Sequence, residues 1–90
     1  MAPTPRDAAL QWARILRSVA AGDMAPAEAL AKTPEIEDED SVPPAFWSAR
    51  IKLQQFVEYE LEEFGFARDQ LGTELLKLAE RIEQHEKTKP

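Results

Sequence analysis

The stretch that most constrains this chain runs from Pro43 to Gly65, PPAFWSARIKLQQFVEYELEEFG. Phe46, Ala49, Leu53, Phe56, Val57, Leu61 and Phe64 recur at spacings of three and four, the period of an amphipathic helix. Three of the four phenylalanines and one of the two tryptophans lie in it. It is expected to supply the largest share of the buried area and to run as a helix over about 44–64, closed by Gly65.

Ninety residues make one small domain. A chain this short buries only about 60–65% of its unfolded surface, so its core must be dense or shared with a partner. Acidic residues exceed basic ones by 17 to 11, and the net charge of −6 disfavours direct contact with nucleic acid. No cysteine is present, so neither a disulfide framework nor a thiolate site is available. No apolar run approaches the ~18 residues of a membrane span, and MAPTPRDAAL lacks the apolar centre of a secretory signal. A cytoplasmic protein without a membrane association is expected.

Three further helices complete the reading. Thr4 suits an N-cap, Pro5 the first helical position, and Asp7 the positive helix end. Ala8, Trp12, Ile15, Leu16 and Val19 form the apolar stripe that follows, and Gly22 closes a helix over about 5–21. GDMAPAEALAKTP reads as a turn and a short helix over about 26–32. Pro26 starts it, Met24, Ala27, Leu30 and Ala31 pack back on the first helix, and Pro34 stops it. Leu71, Leu75, Leu78 and Ile82 define a last helix over about 69–86, capped by Asp69 or Thr73 and weakened in its first turn by Gly72. The fold class is therefore all-α, a small antiparallel four-helix bundle with one short helix.

The candidate binding residues are acidic. Glu35, Glu37, Asp38, Glu39 and Asp40 fall within six positions of a loop over 33–43. Adjacent like charges repel and disfavour regular structure. The bland reading is a solvated linker; the functional one is a surface that imitates phosphates and steers a basic partner. Calcium is disfavoured, because an EF-hand loop needs an internal glycine and none occurs between Gly22 and Gly65. Glu58, Glu60, Glu62 and Glu63 form a second group at the end of the central helix, where they oppose its dipole. Either tertiary pairing with Arg14, Arg17 or Arg68 or a partner would offset that. Glu60 is placed by the wheel inside the apolar sector, as a paired carboxylate at the core edge. Trp47 and Ile51 lie off the main stripe, as does Tyr59. A wide core would bury them; otherwise Trp47, next to acids, would be an anchor for a partner.

Nothing resembles a catalytic or metal constellation. His85 is the only histidine and reads as surface. Without a second ligand it makes no metal site, and Ser18, Ser41 and Ser48 lack a supporting base. No enzyme activity and no cofactor are expected.

The order of helix, turn, short helix, acidic loop, aromatic helix and leucine-rich helix resembles the immunity proteins of colicin D-type, tRNA-cleaving bacteriocins. The residues that carry the resemblance are Gly22-Asp23-Met24-Ala25-Pro26-Ala27-Glu28, Phe56-Val57-Glu58 and Asp69-Gln70-Leu71-Gly72-Thr73-Glu74, within about residues 8–82. The resemblance implies a four-helix protein that blocks a basic nuclease site with acidic side chains. The matching acids are those of 35–40 and Glu58–Glu63, in kind only. The expected function is thus an acidic protein that neutralises a basic partner, a nuclease toxin or other nucleic-acid enzyme. The partner-binding candidates are Glu35, Glu37, Asp38, Glu39, Asp40, Trp47, Glu58, Glu62 and Glu63. A monomer is expected. The alternative is an adaptor that dimerises through its apolar helix faces.

Overall fold

A computed structural model describes residues 4–36, 38–60, 63, 65 and 67–88. Among these residues the chain forms four α-helices and no strand: α1 (Pro5–Ala21), α2 (Pro26–Ala31), α3 (Pro44–Glu58) and α4 (Arg68–Thr88). A single 3-10 turn, Glu39–Ser41, precedes α3. The chain is a small all-α bundle, as its periodicity requires.

The start and stop of α1 follow from local chemistry. The Thr4 hydroxyl accepts the Asp7 N–H at 3.1 Å. Gly22 sits at φ 85°, its N–H bonded to the Val19 carbonyl and the Asp23 N–H to that of Ser18. This is a Schellman pair, which satisfies two end carbonyls and needs a left-handed residue.

The helix pairing differs from the expected emphasis. α1 and α4, from the two ends of the sequence, make the most extensive contact, and α3 packs on α2 and α4. The central stretch is one wall of the core and not its axis. Trp12 of α1 is fully buried, and its indole Nε1–H donates to the Phe46 carbonyl at 3.1 Å, tying α1 to the first turn of α3. Leu16, Leu53, Leu75 and Ile82 complete the largest buried side chains. Gly72 is buried, and a Cβ there would meet the Ala20 Cα at 3.3 Å. Its small size therefore serves the close approach of α1 and α4, which offsets its poor helix propensity. Arg17 of α1 and Glu83 of α4 bridge the same pair. Contacts of residue 20 with 72 and of 17 with 83 run in opposite chain directions, so the two helices are antiparallel.

Several expectations are corrected. α3 stops at Glu58, well short of 64; Tyr59 and Glu60 turn away, with Glu60 at φ 49°. Acids at the negative end of a helix dipole lower the gain from extending it. The wheel therefore ceases to apply at Glu60, which is exposed and not at the core edge. Leu61, Glu62 and Phe64 lie outside the described residues. Ile51 and Tyr59 are 52% and 63% exposed, because only two neighbours, α2 and α4, flank α3 extensively. α2 packs chiefly on α3, not α1; Pro26 and Ala29 are its buried residues, and Ala27 and Ala31 are exposed. α4 begins at Arg68, so Asp69 and Thr73 are inside it, the Thr73 hydroxyl donating to the Asp69 carbonyl.

Candidate protein-binding surface

The acidic segment ahead of α3 is folded. Asp38 caps the 3-10 turn, its Oδ1 accepting the Asp40 N–H at 3.0 Å, and the Ser41 hydroxyl donates to the Asp38 carbonyl. Ile36 and Val42 anchor the two flanks in the core. Trp47, in the second turn of α3, donates its Nε1–H to the Glu39 carbonyl at 3.3 Å and stands edge-on to Phe46. The turn is therefore held against the start of α3, where negative charge favours the helix dipole. Trp47 is half-buried against the core, so it braces this turn and is less available as a free anchor. Glu35, Asp38, Glu39 and Asp40 are exposed, and none forms an ion pair with another described residue. Glu37 lies outside the described residues.

The second acidic group does not join the first. Trp47 and Glu58 are eleven residues apart on one helix, about 16 Å along its axis. Glu58 is exposed and accepts a hydrogen bond from Gln54 at 3.3 Å. Glu60 and Glu63 follow in the turn, the Glu63 N–H donating to the Glu60 carbonyl. These two line a shallow cleft of about 250 Å³ between α2 and the end of α3, over Pro26, Ala27, Phe56 and Val57, with Arg68 also on its wall. Of the three arginines expected to offset this group, Arg17 binds Glu83 instead, and Arg68 shares the cleft lining. Glu62 lies outside the described residues.

Two features escaped sequence reasoning. The left-handed backbone at Glu60 has no sequence signal, since glutamate rarely adopts it. Glu86 is only 3% exposed, with its Oε1 3.6 Å from His85 Nδ1. Its position four after Ile82, on the leucine stripe, was the available clue. His85, Ser18 and Ser41 are not gathered into a site: Ser18 donates to the Arg14 carbonyl of its own helix. Among the described residues no group of His, Asp and Glu could hold a metal ion. Among the described residues the perturbed carboxyl is Glu83, held below the usual range by its hydrogen bond to Arg17, whose own value is raised by the same bond. Among the described residues no helix is long and apolar enough to cross a membrane.

No family model matches the chain, and comparison with curated proteins and with solved structures likewise found no match.

Proposed function

We propose that the chain is an acidic binding protein that neutralises a basic protein partner, a nuclease of the tRNA-cleaving bacteriocin type being the partner that the sequence resemblance favours. The observation that carries this reading is the built acidic turn. Asp38, Glu39 and Asp40 are fixed by a side-chain cap, by the Trp47 indole and by the flanking Ile36 and Val42. All three residues are exposed, and none has a cationic partner among the described residues. A solvated linker has no use for such anchoring. A preorganised negative surface does, because fixed charges steer a basic surface and lose little entropy on docking.

Added in equal amounts to a tRNA-cleaving bacteriocin nuclease domain, the protein is expected to stop tRNA cleavage. Exposed ion pairs contribute only about 0.2–1 kcal/mol each, so single substitutions should do little. Replacing Glu37, Asp38, Glu39 and Asp40 together by Gln and Asn is expected to slow association sharply at low salt and to leave the helical content unchanged. Wild-type affinity and on-rate in that variant would remove the main support of the reading.

A second reading rests on Ile51 and Tyr59, large side chains exposed on α3 and at its C-cap. It makes the chain an adaptor that dimerises through this face. Light scattering at high concentration separates the two: a stable dimer that survives high salt favours the adaptor, since apolar contact is not screened.

A further inference from the structure

We propose that the cleft between α2 and the end of α3 is a socket for one lysine or arginine side chain of the partner. This deepens the reading of a basic protein partner and rests on it. Four observations converge. The cleft has an apolar floor, with Phe56 nearly fully buried, Val57 half-buried, and Pro26 and Ala27 beside them. Such a surface suits the aliphatic stem of a long basic side chain, which buries its methylenes and keeps its charged head at the rim. The rim is formed by Glu60 and Glu63, both exposed. Arg68 on the same wall offsets one of these charges at most, so the lining stays net negative among the described residues.

The third observation is the helix end. The last turn of α3 contains no basic residue, and Glu58, Glu60 and Glu63 crowd the negative pole of a 15-residue helix. A cation there gains from the dipole as well as from the carboxylates. The fourth is the backbone. Glu60 holds φ 49°, a conformation that costs a non-glycine residue about 1–2 kcal/mol. Such outliers cluster where a binding geometry is fixed in advance. Here the positive φ turns the chain back, so that Glu60 lines the cleft and does not continue the helix.

The occupant is a basic side chain and not a free metal ion, because the floor offers carbon and the rim, among the described residues, two carboxylates. It also differs from the turn at 38–40, which has charge but no cleft in the described structure to hold a stem.

The test is a titration of the ¹⁵N-labelled protein with the peptide acetyl-Gly-Arg-Gly-amide, compared with its citrulline analogue, which keeps the shape and lacks the charge. Saturable shifts are expected at the amides of Ala27, Val57, Glu60 and Glu63 for the arginine peptide alone. Glu60→Gln/Glu63→Gln, at two exposed positions, is expected to weaken that binding about tenfold while leaving the rest of the spectrum unchanged. Ala27→Leu, which fills the floor, should weaken it with both carboxylates in place. Equal shifts with the citrulline peptide, or unchanged affinity in the double variant, would overturn the socket. So would arginine-dependent shifts confined to residues 35–40, and that result would leave the acidic-turn reading standing. Absence of shifts anywhere also overturns the socket, whereas the wider reading is decided separately by tRNA cleavage.

Discussion

Two acidic groups stand at opposite ends of α3, and they differ in what the fold does with them. At the start, Asp38, Glu39 and Asp40 sit ahead of the positive helix pole and are built into a capped turn against Trp47. At the end, Glu58, Glu60 and Glu63 face the negative pole, and the helix stops among them with a left-handed glutamate. The same residue type is accommodated at one pole and opposed at the other. Local charge count therefore says little about frustration; position along the dipole decides it. The C-terminal group is the one a cation would relieve. The N-terminal group is the one the free protein already holds in place.

The largest effects should come from the aromatic residue beneath each group. Phe46 is fully buried, and its carbonyl receives the Trp12 indole. Phe46→Ala is expected to cost about 4–5 kcal/mol, and Phe56→Ala, at the looser end, about 3 kcal/mol. Urea denaturation reads both; a larger cost at Phe56 would invert the comparison. Next, Glu60→Gly should stabilise by about 0.5–1 kcal/mol, since glycine adopts positive φ without strain. A loss of stability on this change would mean that φ 49° is no burden.

Smaller effects should separate the dipole from simple repulsion. Glu58→Gln and Glu63→Gln are each expected to raise stability by about 0.3–0.5 kcal/mol, and Asp40→Asn to lower it by a similar amount. If all three shift stability in the same direction, net charge and not the dipole governs. An effect of similar size lies away from α3. The Arg17 hydrogen bond depresses the Glu83 carboxyl. A depressed acid contributes stability that is complete above its unfolded value, about 4.3, and is lost as pH falls through the folded value below it. Both side chains are partly exposed, so the contribution should be only about 0.5 kcal/mol. Arg17→Met should remove that much of the acid-dependent loss, as read from melting curves between neutral pH and pH 3.

Much of this was legible in the residues. Thr4, Pro5 and Gly22 bound α1 through capping chemistry that acts within a few positions, and Pro26 and Pro44 start their helices for the same reason. Helix faces were legible too, because period reports which side is apolar. Which face meets which partner was not. Trp12 and Gly72 reach their importance through contacts across more than thirty and fifty positions, and no local pattern encodes those. The end of α3 misled for a different reason. Leu61 and Phe64 continue the apolar period past the point where electrostatics and a turn had already stopped the helix. The acidic turn was half legible: its charge was evident, whereas its order depends on Trp47 reaching back eight residues.

The two indoles give this protein a pair of internal optical gauges. Trp12 is sealed in the core with its N–H satisfied, so its emission should be blue-shifted and insensitive to soluble quenchers until the whole molecule unfolds. Trp47 is half-exposed and bonded to the carbonyl of Glu39, so its emission should be redder, quenchable by iodide only weakly because of the neighbouring acids, and readily quenched by neutral acrylamide. A basic partner that settles on the turn would displace or cover that indole and change its colour while Trp12 stays silent. Trp47→Phe and Trp12→Phe would assign the two signals. Docking and unfolding could then be followed in one cuvette without any label.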